Sequence, residues 1–226
     1  IVIAMSGGVD SSVAAALLKQ RGREVVGISL QLWNYSTDSS ERFGTCCSLD
    51  DLGDARRVAD RVGIPFYILN MEKEFEEEVV DYFVSEYLNA RTPIPCTLCN
   101  QRLKFNHLIN RVEEFGYQRV ATGHYAMITQ DNATGRFAVK RGVDRSRDQS
   151  YFLFNLSQEQ LSRLEFPLGY TDKKEVRDIA RELGLKVAEK PESREICFVP
   201  DNDYASFIER RVSKEIFCEG NIVNNA

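Results

Sequence analysis

Two of the six cysteines in this chain form a C-x-x-C pair, the spacing at which thiols most often carry chemistry. Cys96 and Cys99 follow Thr92-Pro93-Ile94-Pro95, a stretch that cannot be helical throughout. The pair therefore lies at the start of the helix that follows, where the helix dipole lowers the pKa of a thiol. We consider three interpretations of the pair: it forms half of a metal site, it is a redox pair, or its thiols are simply buried.

The other cysteines limit these interpretations. A zinc site of four cysteines needs a second C-x-x-C, which the sequence lacks, and two histidines exclude a His-rich zinc site. Cys197 lies about 100 residues further on, so it joins the pair only through the fold. Cys46 and Cys47 are adjacent and poorly placed to share one metal, and we interpret them as structural.

A second stretch with chemistry is the glycine- and serine-rich loop over residues 6–12, Ser-Gly-Gly-Val-Asp-Ser-Ser. It lies between an apolar strand and an apolar helix. Its backbone N–H groups and the positive end of the helix dipole are therefore aimed at the same point, and such a point binds anions. Asp10 is suited to hold Mg²⁺ or to orient the loop. The loop has no Gly-Lys-Ser/Thr end and is too compact for the dinucleotide fingerprint.

Alternating strands and helices must position these groups. Apolar runs predict strands over residues 1–5, 24–32, 66–70 and 117–122, and a short strand over 193–199. Amphipathic patterns and caps predict helices over 48–62, 72–88, 101–115, 172–183 and 203–212, one more after Ser157, and a hairpin over 125–141. This order indicates an α/β protein with a doubly wound, mostly parallel sheet. The ends of the first, second and fourth strands then meet at one rim.

Composition bounds the class of protein. The chain has 226 residues, of which 28% are charged and 43% hydrophobic, as in globular proteins. No apolar run is long enough to span a membrane, and cysteines without a recognisable secretory signal indicate a cytoplasmic protein. The net charge of −5 gives no general support for nucleic-acid binding. Any RNA contact is therefore expected either from local basic patches, with Arg102 and Arg147 as candidates, or from a part of the protein that this sequence does not contain.

The loop resembles the PP-loop of the ATP pyrophosphatases, which hold the pyrophosphate of ATP while an acceptor oxygen attacks the α-phosphorus. Over nearly its whole length the sequence resembles the bacterial tRNA-specific 2-thiouridylases, which thiolate the wobble uridine of certain tRNAs. The matching segments, in family order, are Ala4–Ser12, Thr92–Asn100, Ala121–Tyr125, Arg141–Asp144, Asp148–Leu153, Phe166–Gly169 and Ile196–Phe198.

The resemblance implies a fold and a set of site residues. It implies a PP-loop catalytic domain over residues 1–200 and, over 201–226, the start of a further β-rich domain. It implies Cys99 as the nucleophile and Cys197 as the cysteine that carries a persulfide. The implied ATP site consists of Ala4, Met5, Ser6, Gly7, Gly8, Val9, Asp10, Ser11, Ser12, Leu30 and Gly123. The implied contacts to the target base are Ile94, Pro95, Cys96, Arg147, Asp148 and Gln149.

The implied reaction uses ATP and Mg²⁺ to adenylate the C2 carbonyl of the wobble uridine, after which sulfur replaces the oxygen. The implied partners are tRNA and a sulfur-donor or sulfur-relay protein. Sulfur arrives either as a persulfide or through a 4Fe–4S cluster on Cys96, Cys99 and Cys197. The family commonly has Asn and Asp where this chain has Ile94 and Cys96, and the additional thiol favours the cluster.

Two other functions compete with tRNA thiolation. A PP-loop synthetase or amidotransferase that adenylates a small-molecule acceptor would use the loop but has no need of three cysteines. A nucleotide-sensing or metal-binding module would use either feature alone, so it does not explain why both occur in one chain.

Overall fold

A five-stranded parallel sheet forms the centre of the protein. The computed structural model describes residues 1–33, 49–191, 196–199, 202–213 and 216. The strands are β1 Val2–Ala4, β2 Val26–Gln31, β3 Phe66–Asn70, β4 Val120–Ala121, the hairpin strands β5 Ala126–Gln130 and β6 Phe137–Arg141, and β7 Leu164–Glu165. The sheet has the order β3-β2-β1-β4-β7, and β5 pairs with β6 in a separate antiparallel ribbon. The predicted parallel α/β sheet is confirmed.

Seven helices connect and cover these strands in the described part of the chain. They are α1 Val9–Gln20, α2 Leu49–Val62, α3 over residues 72–88, α4 over residues 95–114, α5 Gln158–Arg163, α6 Lys173–Glu182 and α7 Tyr204–Glu209. Both α3 and α4 contain a π-helical stretch, at Glu76–Val80 and Asn100–His107 respectively. Short 3₁₀ turns occur at Ser150–Leu153 and Lys186–Glu189.

The helices cover both faces of the sheet. Phe75 and Phe83 of α3 and Leu103 of α4 pack on one face. The other face packs against α1, α2 and α6. Because successive strand residues point to opposite faces, Val2 and Ile3 of β1 belong to different cores. The strand order reverses between β1 and β4, which is where doubly wound sheets bind ligands.

Several predicted boundaries differ from the structure. The helix that carries the C-x-x-C pair begins at Pro95 rather than near residue 101, because proline is favoured in the first helical turn. The predicted strand over 193–199 is wrong for Ile196–Val199, which form a turn, and residues 192–195 lie outside the described residues. Strand β7 has two residues, too few for a sequence pattern to reveal. Cys46, Cys47 and Cys218 also lie outside the described residues, as does the end of the predicted β-rich segment, residues 217–226.

The segment after residue 200 contacts the main core. The ring centroid of Phe207 in α7 lies 6.1 Å from that of Phe83 and 5.4 Å from that of Phe198. The boundary at residue 200 and the second domain stay predictions. Among the described helices, none is long and apolar enough to cross a membrane.

Candidate active site

A cavity of about 410 Å³ opens at the carboxyl ends of β1, β2 and β4. Seven residues of the predicted ATP site line this cavity: Ala4, Met5, Ser6, Asp10, Ser11, Leu30 and Gly123. All three cysteines, Cys96, Cys99 and Cys197, line the same cavity. The structure therefore brings the glycine loop and the cysteines to one space, although they are far apart in sequence.

The loop is held in a shape that leads directly into α1. Gly7 has a φ of +74°, and a Cβ there would lie 2.2 Å from the carbonyl oxygen of Asp51, so only glycine fits. The Ser11 hydroxyl donates to the Gly8 carbonyl and accepts from the Ser6 N–H, both at 3.2 Å. Because the first N–H groups of a helix have no carbonyl partner within it, the start of α1 is suited to bind an anion.

Gly123 brings the end of β4 against this loop. A Cβ at Gly123 would lie 2.7 Å from both the carbonyl carbon of Asp10 and the amide nitrogen of Ser11. A glycine is therefore required here by contact between two backbones, whether or not a nucleotide is bound.

Two donors from distant segments orient Asp10. Its carboxylate accepts from the Lys173 ammonium at 2.7 and 2.8 Å and from the Tyr125 hydroxyl at 2.7 Å. The structure thus shows Asp10 orienting the loop. The same carboxylate could bind Mg²⁺ only if its negative charge were shared between Mg²⁺ and the Lys173 ammonium, which already contacts both of its oxygens. Neither Lys173 nor Tyr125 was predicted as a site residue, because no local pattern distinguishes them from other surface lysines and core tyrosines.

Lys190 fixes the other end of the loop. Its ammonium donates to the Gly7 carbonyl at 3.2 Å and to the carboxylates of Asp51 and Asp54 at 2.5 Å each. Burial lowers the pKa of Lys190, but the hydrogen bonds with the two carboxylates outweigh it, so the pKa lies above its ordinary value. Sequence reasoning also missed this residue.

The three cysteines differ in exposure. Cys96 is exposed, Cys99 is buried and Cys197 is half-buried. Across the described part of the chain, no three His, Cys, Asp or Glu side chains are arranged to hold a metal ion. The cysteines line one cavity, but the structure gives no support to the predicted 4Fe–4S cluster.

The predicted base contacts divide into two groups. Pro95, Cys96 and Gln149 line the cavity, whereas Ile94, Arg147 and Asp148 do not. The Gln149 side-chain oxygen accepts from the Tyr125 N–H at 3.0 Å, so Gln149 lies beside the groups that hold the loop. Asp148 accepts from Arg141 at 3.0 Å and from the Ser150 hydroxyl at 2.9 Å, which is a structural role within its own loop.

His124 follows Gly123 at the wall of the cavity. The Thr122 hydroxyl and His124 Nδ1 are 2.5 Å apart, and the rings of Phe105 and Phe166 lie 5.9 and 5.6 Å away. Burial and, secondarily, the charge of Lys104 lower the pKa of His124 to about 3. The ring is therefore neutral at neutral pH and supplies no positive charge to a phosphate.

Comparisons with known proteins bear on this site. A family model described as the tRNA methyl transferase HUP domain matches residues 1–201. A protein of Geotalea uraniireducens named tRNA-specific 2-thiouridylase MnmA is 57% identical over 227 residues, which cover 99% of this chain and 60% of the relative. A protein of the same name from Geobacter metallireducens is 59% identical over 212 residues, covering 92% and 57%. The chain thus spans about three fifths of the length of these relatives.

Solved structures share the fold at low sequence identity. A 4-thiouridine synthetase in complex with RNA and ATP matches with a TM-score of 0.50 and 19% identity, over 93% of this chain and 50% of that one. A glutamine-dependent NAD⁺ synthetase of Acinetobacter baumannii matches with a TM-score of 0.50 and 17% identity, over 96% and 38%. These matches support the α/β fold.

Proposed function

This chain belongs to the tRNA methyl transferase HUP domain family, and on that premise we propose that it is the catalytic part of a tRNA-uridine 2-sulfurtransferase. The observation that carries the proposal is the single cavity lined by both the anion-binding loop and three cysteines. On this proposal the partners are tRNA and a sulfur-donor protein, and the protein works in the cytoplasm.

The first step is adenylation of the target uridine. The N–H groups at the start of α1 bind the pyrophosphate portion of ATP, Asp10 orients the loop, and Mg²⁺ enters with the nucleotide as MgATP. The C2 oxygen of the uridine attacks the α-phosphorus, the bond to pyrophosphate breaks, and an adenylated base results. This step is needed because a carbonyl oxygen leaves readily only after it has been bonded to phosphorus.

The second step transfers sulfur. A donor protein loads a persulfide on Cys197, and its terminal sulfur attacks C2 and displaces AMP, which leaves the base joined to Cys197 through a disulfide. The Cys99 thiolate then attacks the Cys197 sulfur and releases the 2-thiouridine. The resulting Cys99–Cys197 disulfide is returned to two thiols by a dithiol reductant. Cys96, exposed in the same cavity, has an accessory role.

This persulfide route is proposed over the cluster because no site for a metal ion is found among the described residues, which include the three cysteines. An amidotransferase or synthetase acting on a small molecule is the second candidate, favoured by the fold of the NAD⁺ synthetase neighbour alone. The cysteines distinguish the two, since amide synthesis gives no role to Cys99 and Cys197.

The test is thiolation in vitro of unmodified tRNA by the purified protein, supplied with MgATP, a persulfide donor and a reductant. We expect AMP, pyrophosphate and a nucleoside in which sulfur replaces oxygen, identified by mass spectrometry. Cys197→Ala should release pyrophosphate but keep AMP bonded to the tRNA, because no persulfide displaces it. Cys99→Ala should release AMP once and leave the base joined to Cys197 through a disulfide, and neither variant should turn over to 2-thiouridine. Cys218→Ala is the matched control and should retain full activity.

Three outcomes would contradict the proposal. Release of ADP and phosphate excludes the pyrophosphatase step. A methylated or unmodified nucleoside excludes sulfur transfer. Thiolation that requires iron, measured by reconstitution under anaerobic conditions with iron counting, would replace the persulfide route by the cluster.

A further inference from the structure

The loop that must bind a polyanion contains a negative charge of its own. Asp10 lies in the first turn of α1 and lines the cavity. An uncompensated carboxylate at this point would repel the phosphates of a nucleotide, because the interaction of two charges is strong where water is scarce.

Lys173 supplies the compensating charge. Its ammonium contacts both oxygens of the Asp10 carboxylate, and its side chain is only 11% exposed. The backbone of Lys173 is fixed as well: its N–H donates to the Asp144 carboxylate at 3.0 Å, and Asp172 caps the helix that begins with it. The lysine is therefore brought to the loop from a rigid helix start 163 residues away in sequence.

We propose that Lys173 is a positioning residue of the nucleotide site, which acts on the nucleotide through Asp10. It holds the carboxylate so that the N–H groups of the loop face the cavity, and it cancels the charge that would repel the phosphates. The inference rests on the proposed function because it presumes that ATP binds at this loop. It differs from a role as a direct phosphate ligand, in which the lysine would act independently of Asp10.

A double-mutant cycle separates these two roles. The dissociation constant of MgATP, without tRNA, is measured for the wild type, Lys173→Met, Asp10→Asn and the double variant. We expect Lys173→Met to weaken binding by about tenfold or more, as for the loss of a hydrogen bond to a charged group. In the Asp10→Asn background, where no charge needs compensation, the same change should weaken binding by at most about twofold.

Lys174→Met is the matched control. Lys174 lies on the same helix, but its side chain is 87% exposed and pairs with Asp178, so ATP affinity should not change. If Lys173→Met fails to fold because it leaves Asp10 uncompensated, the comparison of Asp10→Asn with the double variant decides alone. Equal affinities support the proposal, and a further tenfold loss overturns it.

The outcomes also separate this inference from the proposed function. A wild-type protein that does not bind MgATP overturns both. A wild type that binds MgATP, with equal effects of Lys173→Met in the two backgrounds, overturns only the positioning role. In the thiolation assay we expect Lys173→Met to raise KM for ATP while kcat changes by less than about threefold, because the chemistry of the cysteines is untouched.

Discussion

Gly123→Ala should damage the nucleotide site through backbone contact alone. The added Cβ would lie 2.7 Å from Asp10 C and Ser11 N, and 3.0 Å from Ser11 Cα. Ordinary carbon contacts are about 3.5 Å or longer, so β4 and the start of α1 must separate by roughly 1 Å. Overpacking of this kind costs about 1–3 kcal/mol of unfolding free energy, and a displacement of about 1 Å at a reacting group can cost about 100-fold in rate.

The free energy of unfolding is measured by urea denaturation, and adenylation by pyrophosphate release. Gly53→Ala is the control, since its Cβ would meet only the flexible end of Arg57, and helical Gly→Ala stabilises by up to about 1 kcal/mol. If Gly123→Ala retains wild-type stability and full pyrophosphate release, the contact between β4 and the loop does not constrain the site, and the reasoning fails.

Three further predictions follow from the same geometry. Gly8→Ala should leave the free energy of unfolding unchanged, because the backbone of Gly8 is extended and an added Cβ would meet only Ser6 Oγ, at 3.6 Å. It should weaken MgATP binding, because the phosphate is expected to approach the backbone at this point, and unchanged affinity in a binding titration would contradict this. Since the pKa of His124 is lowered to about 3 in the fold, the stability due to its neutral ring is complete above pH 6.5 and falls below it, by at most about 1.4 kcal/mol per pH unit. Urea denaturation from pH 7.5 to 5 should show a steeper loss of stability in the wild type than in His124→Gln, and equal slopes would contradict this. Lys190→Met should cost about 1–3 kcal/mol in the same denaturation assay, because it removes the ammonium that joins Asp51, Asp54 and the Gly7 carbonyl. Exposed Lys186→Met should be neutral, and equal losses would refute the role of the cluster.

The fold was predictable where a local pattern extends over several residues. The apolar strand before the loop, the capping box at Ser157 and Gln160, and the Asp172 cap are all observed because each depends on neighbours in sequence. Strand β7 was missed since its two residues owe their conformation to pairing with β4. Ile196–Val199 were wrongly predicted as a strand. Apolar residues that fill the core from a turn have the same sequence pattern as apolar residues in a short buried strand.

The site was predictable only for residues within recognisable motifs. The loop and the three cysteines could be named because their spacing is unusual, and the structure places them around one cavity. Lys173 and Lys190 could not, since each acts by reaching a partner more than 100 residues away. Tyr125 ends a matching segment, but its contact with Asp10, 115 residues away, follows only from the fold. Asp148 lies in a recognisable motif, and its carboxylate accepts from Arg141 and Ser150, while its contact with the target base stays a prediction.

On the proposed function, the contacts of the loop prepare a short glycine- and serine-rich segment for nucleotide binding. A loop of this composition is flexible by itself, and ordering it on binding would reduce affinity. Here Lys190 holds the Gly7 carbonyl, Lys173 holds Asp10, and the backbone of Gly123 packs against the first turn of α1. Because these three groups come from segments that follow the loop by more than 100 residues, completion of the whole sheet is required before the site exists. The ordering free energy is therefore a part of folding, and the loop is preorganised when the nucleotide arrives.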